Sequence, residues 1–400
     1  MNGAAGLLAE ARGFLPELTA LRRDLHRHPE LGGQEWRTAA LIVEQLRRLG
    51  LDVRTGIAGT GVAGLLNIRA EAPAVALRAD IDALPVDEVN EVPYRSEASG
   101  VSHACGHDGH TAIQLGAAEL LTRHAVELSG NVLFLFQPSE DTLPGGAQAM
   151  IREGALSGIA LRGILSMHLN PRFPQGTVTV KAGQATCSSL SFRLRVTGRG
   201  GHVTEPEHTV NPILPAAAFI TAAEALRREL AREAEPLILA FGSVHGGTAA
   251  NIIPEATELV GSLRAPSPEL LRHALERFRE LARAHTQRAG ARFELELEEG
   301  YPPVFNDPRL TASFREAASA VVGTGRVKML ENMLATGDDV AFFHRELPGV
   351  YWQLGSRDPE RGFDHPLHSP RFDFDEELLA TGTAVQTQAA WHLLTEEVQR

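Results

Sequence analysis

Two different hydrophobic patterns divide this chain and limit the folds that it can adopt. In the first pattern, short runs of consecutive apolar residues alternate with stretches of helical periodicity, such as Thr38–Leu49 and Thr111–Arg123. The apolar runs are Val75–Leu77, Val132–Phe136, Gly163–Met167 and Val350–Leu354. Such runs are typical of strands that are buried on both faces of a mostly parallel sheet, with helices covering the two faces. The first pattern therefore predicts an α/β sandwich.

The second pattern lies between about residues 184 and 297, where apolar and polar residues alternate. Leu190 and Leu194 point to one side of a predicted strand, while Ser191 and Arg193 point to the other. Strands with one apolar and one polar face are typical of an antiparallel sheet that is covered on a single side. This segment therefore differs in architecture from the rest of the chain.

The order of elements in this segment is strand, helix, strand, strand, helix, strand, which is the order of a ferredoxin-like module. Asn211-Pro212 and Ser267-Pro268 each place a capping side chain before a proline, so both helices should begin there. The predicted elements are 188–198, 213–232, 237–245, 256–264, 268–288 and 291–299. We predict a discontinuous α/β domain of residues 1–183 and 298–400, with an inserted α+β domain of residues 184–297.

Composition restricts the partners and the compartment. The net charge of −12, with no stripe of lysine and arginine, argues against a nucleic-acid partner. No apolar run approaches the ~20 residues that span a membrane, and residues 1–15 lack the features of a signal peptide. The two cysteines, Cys105 and Cys187, do not form a disulfide framework. We expect a soluble cytoplasmic protein.

The densest group of reactive side chains lies in the segment His103–His110. It contains three imidazoles, the Cys105 thiol and the Asp108 carboxylate, and a predicted helix follows it. Thiolate and imidazole are the ligands preferred by zinc and neighbouring transition metals. Cys105 as a nucleophile beside a histidine is a second interpretation, and an ordinary histidine-rich loop is a third. This segment alone does not separate them.

Further candidates follow the predicted strands of the sandwich. Glu140 and Asp141 come after the strand that ends at Phe136, and His168 comes after the run that ends at Met167. Ligands of α/β sheets bind at the carboxyl ends of strands, and neighbouring side chains of an extended chain point in opposite directions. One carboxylate would then hold a metal ion while the other faces a substrate. Taken singly, each of these residues also fits an ordinary loop or a buried histidine.

The whole sequence resembles the M20 metallopeptidase family, in particular its amidohydrolase branch of aminoacylase-like, hippurate-hydrolase-like and auxin-conjugate-hydrolase-like enzymes. The most specific match is Cys105–His110. The other matching stretches are Arg23–Leu31, Arg78–Pro85, Phe136–Asp141, Gly201–His202, Asn251–Pro254 and His368–Phe374. Their joint order and spacing extend the resemblance over nearly the whole chain.

The resemblance implies two divalent metal ions, of which zinc, manganese, cobalt and nickel all suit mixed ligands. The implied ligands are Cys105, His107, Asp141, His168 and His368. Glu140 matches the catalytic base of the family. Asp82 either orients a ligand or forms a structural salt bridge. The chain departs from the branch at Asp141, where a glutamate is usual, and at 337–341, where relatives usually carry Glu-Asp followed by an aromatic residue.

In the inserted domain, the resemblance implies that His202 reaches the active site of a neighbouring subunit and polarises the scissile carbonyl. Asn251 and Arg264 match positions that bind the carboxylate of the substrate, and the planar guanidinium of arginine suits that group. The inserted domain would then act in lid closure and dimerisation, within a homodimer or homotetramer.

These assignments lead to the hypothesis that the protein hydrolyses the amide bond of N-acyl amino acids, such as N-acetyl or N-benzoyl derivatives. Glu140 would take a proton from a metal-activated water and return it to the departing amine. A dipeptidase or carboxypeptidase of the same family, a cysteine amidase using Cys105, and a non-catalytic metal-binding protein are the alternatives. The presence of Glu140 argues against the last, because a metal-binding protein needs no base.

Overall fold

The computed structural model describes residues 4–231 and 237–395. Chain contacts separate them into two compact units. The first unit is formed by Met1–Ala185, Val304–Glu331 and Asp338–Arg400, and the second by Thr186–Pro303 and Asn332–Gly337. The first unit is therefore built from three separate stretches of chain. None of the helices in the described ranges is both long and apolar enough to cross a membrane.

The α-helices have the following bounds. They are α1 Ala4–Gly13, α2 Leu15–Arg27, α3 Trp36–Arg48, α4 His107–Arg123, α5 Ala147–Arg152, α6 Ile213–Leu230, α7 Pro268–Arg288, α8 Pro308–Val322, α9 Val340–Glu346 and α10 Glu377–Thr395. The strands are β1 Asp52–Ile57, β2 Gly61–Leu66, β3 Ala74–Asp80, β4 Asn131–Gln137, β5 Leu161–Pro174, β6 Val178–Val180, β7 Gly183–Gln184, β8 Ser188–Thr197, β9 Gly201–His202, β10 Ile238–His245, β11 Ile252–Ile253, β12 Ala256–Ala265, β13 Arg292–Glu299, β14 Phe305–Asn306, β15 Val327–Met329 and β16 Gly349–Arg357.

An eight-stranded sheet forms the centre of the first unit, in the order β1-β2-β4-β3-β5-β16-β6-β15. The four neighbours β4, β3, β5 and β16 run parallel to one another. All four predicted apolar runs lie in these strands, and β3 and β4 are buried along their whole length. The prediction of a mostly parallel sheet is confirmed.

Helices cover both faces of this sheet. Along β4, Phe134 and Phe136 pack into one core with residues of α4, α8 and α10, while Leu133 and Leu135 pack into a second core with α5 and α9. This division follows from the two-residue period of a strand, which sends successive side chains to opposite faces. Each such buried side chain contributes roughly 1.5–3 kcal/mol of transfer free energy. The α/β sandwich is confirmed.

Two elements differ from their predicted bounds in ways that affect the site. The predicted strand end at Met167 is wrong, because β5 continues to Pro174 and still pairs with β16 at Asn170. His168 therefore lies inside a strand. The helix predicted to follow the cluster, over Thr111–Arg123, begins earlier, because α4 starts at His107 after Gly106, whose φ of 87° favours glycine. His107 thus occupies the first turn of a helix.

The second unit contains a four-stranded antiparallel sheet in the order β10-β12-β8-β13, with α6 and α7. Its elements follow one another in the predicted strand, helix, strand, strand, helix, strand order, with the short strands β9 and β11 between them. Leu190 and Leu194 of β8 pack in one core with Phe219 of α6 and Phe278 of α7. The residues that alternate with them along β8 point away from this core.

The two predicted helix starts had different outcomes. Ser267 caps α7 as predicted, and its side chain accepts the N–H of Leu270 at 3.1 Å. α6 begins at Ile213, the predicted first residue, but Pro212 occupies the capping position and not the first turn. Asn211 nevertheless accepts the N–H of Ile213 at 3.0 Å. The predicted end of this helix at residue 232 lies outside the described residues.

Candidate metal centre

The turn that follows β4 carries two adjacent carboxylates, Glu140 and Asp141. Ser139, just before them, has a φ of 55°, in the left-handed region that a serine rarely adopts. The Asp141 N–H donates to Asp82 Oδ2 at 2.9 Å, and this contact fixes the position of the turn relative to the end of β3. Glu140 is 4% exposed. The parallel arrangement of β3 and β4 brings their carboxyl ends together, as expected for a sheet of this kind.

Three sulfur and nitrogen donors meet beside this turn. The Cys105 thiol, one nitrogen of His107 and one of His168 all lie within 4.8 Å of one another, and all three residues are buried. Cys105 Sγ lies 3.5 Å from His168 Nε2. Thiolate and imidazole together are the donors that zinc and its neighbours prefer. These residues therefore offer one set of metal ligands.

A second set of donors shares the same cysteine. Cys105, Asp141 and His368 also bring their ligand atoms within 4.8 Å of one another, as do His107, Glu140 and Asp141. His368 Nε2 lies 3.4 Å from Asp141 Oδ1. The structure therefore brings together the five residues that the sequence predicted as ligands, in two overlapping groups.

Unpartnered buried atoms indicate that this donor set fits metal ions. His107 Nε2 and Asp141 Oδ2 are both buried and have no hydrogen-bond partner within the described part of the chain. Buried polar atoms are nearly always partnered, because an unpaired one costs about 1–3 kcal/mol. Cations bound between these groups would satisfy both atoms. The residues present fit a centre for divalent metals.

The second ring nitrogen, Nδ1, of His107 and of His168 is held by an acceptor. His107 Nδ1 lies 2.9 Å from the Asp82 carbonyl oxygen and 3.1 Å from Asp82 Oδ1, and His168 Nδ1 lies 2.5 Å from the Leu169 carbonyl oxygen. A carbonyl oxygen can only accept, so in both rings Nδ1 carries the proton. In the neutral form of each ring, Nε2 then presents its lone pair, which is the tautomer that a metal ligand requires.

Negative charge dominates the centre. Burial lowers the pKa of His107, but Asp80 and Asp82 outweigh it and raise that pKa to about 10. Burial and the nearby Asp141 raise the pKa of the Cys105 thiol well above its ordinary value. Bound cations would reverse both tendencies, because they favour thiolate and neutral imidazole over the protonated forms. The electrostatics are those of a cation site.

Sequence reasoning assigned no role to Arg78, a buried arginine of β3. Arg78 on β3 donates to Asp80 at 2.8 Å and to Asp339 at 3.0 Å, and none of these side chains is exposed. The other oxygen of Asp80 contacts His110 Nδ1 at 2.5 Å, and His110 Nε2 accepts the Leu169 N–H at 2.9 Å. Asp80 and His110 are thus already partnered, although their position also suits a metal. An arginine directly after the apolar run Val75–Leu77 is the sequence signal that could have identified this residue.

Asp108 belongs to a separate buried network. Its carboxylate accepts from Arg22 Nε at 2.8 Å and contacts His26 Nδ1 at 2.7 Å. Although burial raises it, the charges of Arg22 and His26 hold the pKa of Asp108 well below its usual range. Two residues of the matched stretches, His26 and Asp108, are therefore paired with each other in a network of their own.

The three other predicted residues belong to the second unit. His202 is exposed on β9, pairs with Ile252 of β11 and contacts Thr204 Oγ1 at 2.7 Å. The carbonyl of Asn251 accepts the Val203 N–H at 3.3 Å, so Asn251 lies beside the His202 segment. Arg264 is half-buried on β12 and donates to the Ala335 carbonyl at 3.4 Å. Within this unit, His202 and Asn251 are brought together by the β9–β11 pairing.

Comparison with known proteins identifies the family. The sequence profile described as Peptidase family M20/M25/M40 matches residues 76–392, which is more than half of the chain. The chain belongs to this family. The M20 chain is 35% identical over 382 residues to a probable hydrolase of Synechocystis, covering 95% of this chain and 96% of that protein. It is 33% identical to the N-acetyl-L-cysteine deacetylase of Bacillus subtilis, over 94% and 88% of the two chains.

A solved structure of an M20 protein has the same fold and is described as binding two metal ions. The Bacillus subtilis protein described as a dinuclear metal-binding peptidase of the M20 family superposes with a TM-score of 0.77 at 30% identity, and covers 96% of this chain and 99% of its own. The predicted fold class and family are confirmed. This M20 protein is a metal-dependent hydrolase, and its clustered donors support two divalent metal ions.

Proposed function

We propose that this M20 enzyme hydrolyses the amide bond of N-acyl amino acids to a carboxylic acid and a free amino acid. The observation that carries the proposal is the position of Glu140, a buried carboxylate adjacent in sequence to a metal donor and within 4.8 Å of two of the donor atoms. The relative named N-acetyl-L-cysteine deacetylase supports the substrate class, since its name describes removal of an acyl group from an amino acid.

The residues that would hold the two ions are the five predicted ligands. They are Cys105, His107, Asp141, His168 and His368. When bound, divalent ions of this type polarise a carbonyl and lower the pKa of a coordinated water from 15.7 to about 7. Asp82 assists by fixing the tautomer of His107 and the backbone of Asp141 through its two oxygens. Aspartate at position 141 keeps the charge of the usual glutamate with a shorter side chain.

Glu140 is the proposed general base and acid. Burial raises its pKa well above the ordinary value, and the neighbouring Asp338 and Asp141 raise it further. A carboxylate with a raised pKa accepts a proton more readily near neutral pH, and can later donate that proton to the leaving nitrogen. Both roles require only that the nucleophilic water and then the amine come within hydrogen-bond distance of Glu140.

The second unit is proposed to recognise the substrate. Arg264 would pair with the free carboxylate of the amino acid, for which a planar guanidinium is suited, and Asn251 would add a hydrogen bond. The exposed imidazole of His202 would polarise the scissile carbonyl in a neighbouring subunit of a homodimer or homotetramer. In this proposal the unit serves as lid and dimerisation module.

A peptide substrate is the second candidate, because the similar solved structure is described as a peptidase. A dipeptide differs from an acyl amino acid by a free amino group next to the scissile carbonyl. An enzyme for dipeptides would therefore lose activity when that amine is removed or blocked, whereas an acyl-amino-acid hydrolase would not.

Release of free amine from a panel of N-acetyl, N-benzoyl and indole-acyl amino acids and dipeptides tests the proposal. The assay is run with Mn²⁺ or Zn²⁺ and again after chelation. Metal-dependent release from acyl amino acids is the expected result. Release from dipeptides alone would favour the peptidase function. Release that survives chelation would contradict the metal mechanism and favour Cys105 as a nucleophile.

A further inference from the structure

A buried glutamate of the N-terminal region contacts the turn that carries Glu140. Glu35, directly before α3, is fully buried at 0% exposure. Its Oε1 accepts the Ser139 N–H at 2.8 Å, and its Oε2 accepts the Thr60 hydroxyl at 2.6 Å. Thr60 is itself 1% exposed. Both carboxylate oxygens of Glu35 therefore accept a hydrogen bond, one from the turn and one from Thr60, which directly precedes β2.

The backbone that Glu35 holds is strained. Ser139 has a φ of 55°, and a non-glycine residue in the left-handed region persists only where the surrounding structure imposes it. Since Ser139 directly precedes Glu140, rotation of its backbone towards the ordinary negative φ would redirect the Glu140 side chain. The hydrogen bond from the Ser139 N–H to Glu35 opposes that rotation.

Close packing supports the same contact. A Cβ added at Gly32 would lie 3.1 Å from Ser139 Cα, Ser139 Oγ and Thr142 Oγ1, so the loop before α3 lies directly against the turn. On the β2 side, a Cβ at Gly61 would lie 3.1 Å from Pro138 Cδ. Glycine at both positions allows the turn to be enclosed by two other segments.

Asp82 and Glu35 hold this turn at two different backbone positions. Asp82 accepts the Asp141 N–H and also contacts His107, so it acts on the metal donors. Glu35 accepts the Ser139 N–H on the other side of Glu140 and takes its support from Thr60. Glu140 therefore lies between two residues, Ser139 and Asp141, whose backbone N–H groups donate to two different carboxylates.

We propose that Glu35 is a positioning residue, which holds the strained Ser139 backbone and thereby aims Glu140 at the reacting groups. This inference rests on the proposed function, because it requires Glu140 to act as the base. A misplacement of about 1 Å in a catalytic group can lower the rate by about 100-fold. Loss of Glu35 should therefore act on kcat, and leave the metal donors and substrate binding in place.

The first test compares Glu35→Ala, Glu35→Gln and Glu30→Ala on a substrate that the wild-type enzyme hydrolyses. Glu35→Ala should lower kcat by roughly 10–100-fold, with KM within about threefold and the metal content unchanged. Glu35→Gln should restore most of this loss, because an amide can accept the Ser139 N–H and donate to Thr60. Glu30 is the matched control, since it caps α3 through the N–H groups of Arg37 and Thr38. Its removal should leave kcat near wild type.

Combination with Glu140→Gln distinguishes positioning from a general structural effect. If Glu35 acts through Glu140, Glu35→Ala should lower kcat little further in the Glu140→Gln background, since residues that act as a unit are strongly non-additive. An equal fold-loss in both backgrounds would overturn the inference. If Glu35→Ala does not fold, Gly32→Ala displaces Ser139 by steric contact, and it should show the same non-additivity.

Hydrogen exchange of the Ser139 amide provides a readout that is independent of activity. This amide should exchange slowly in wild type and in Glu30→Ala, and faster in Glu35→Ala. Unchanged exchange, or wild-type kcat in Glu35→Ala, would refute the inference while leaving the proposed function intact. A wild-type enzyme that releases amine from no substrate of the panel would refute the proposed function, and the inference would fall with it.

Discussion

Replacement of Asp82 by asparagine should weaken metal binding, because one of two side-chain contacts is lost. Asp82 is 1% exposed, and its two oxygens face two different N–H groups, those of His107 Nδ1 and of the Asp141 backbone. Asparagine has a single acceptor oxygen, so its NH₂ group must face one of these donors. The variant is nearly isosteric, which limits any effect of packing.

The expected loss of metal affinity depends on which contacts the Asp82→Asn variant keeps. The Asp82 carbonyl still accepts from His107 Nδ1 at 2.9 Å, so the tautomer of His107 is retained. The Asp141 turn, by contrast, loses its acceptor or gains a facing donor. Changes in groups that orient metal ligands cost about 10- to 100-fold in affinity. We expect a loss near the lower end of this range, about 1.4 kcal/mol per tenfold change in Kd, for the ion bound by Asp141.

Competition with a chromogenic chelator measures both Kd values and the stoichiometry. Asp87→Asn is a suitable control, because Asp87 lies in the same loop and accepts the Gly100 N–H at 3.2 Å at an exposed position. Two ions bound with wild-type affinity by Asp82→Asn would refute the argument that Asp82 orients the donors. Equal weakening in Asp87→Asn would indicate a general effect on the loop.

Three further predictions concern catalysis, specificity and stability. Glu140→Gln should lower kcat by about 10²–10⁴-fold with metal content unchanged; near-wild-type turnover would exclude this base. Arg264→Ala should raise KM for acyl amino acids, and equal effects on carboxylate-blocked analogues would contradict its binding role. Burial lowers the pKa of His26, but Asp108 and Glu88 bring the net value above 6.5. Because this folded-state pKa is raised, the stabilisation from charged His26 is complete below pH 6.5 and is lost as the pH rises through the raised pKa. Urea unfolding should therefore show a greater loss of stability above pH 6.5 in wild type than in His26→Gln, and parallel curves would contradict the ion pairing.

Periodic patterns were sufficient to predict the architecture. The continuous apolar runs lie in the parallel strands β3, β4, β5 and β16, and the alternating segment forms the antiparallel sheet of the second unit. These patterns are local consequences of burial on two faces or on one, so they can be read without knowledge of strand order. The chemical nature of the donors was equally available, because thiol, imidazole and carboxylate groups are properties of the residues themselves.

Several features of the site depend on contacts between distant parts of the chain. His168 lies inside β5 because pairing with β16, far along the chain, extends the strand beyond the apolar run. Arg78 is tolerated in a buried strand because Asp339 lies beside it in the fold, 261 positions away. The contact of Glu35 with Ser139 spans 104 positions. No local pattern marks such a partner, because burial makes an ionised side chain costly and the compensating group can come from any segment that folding brings near.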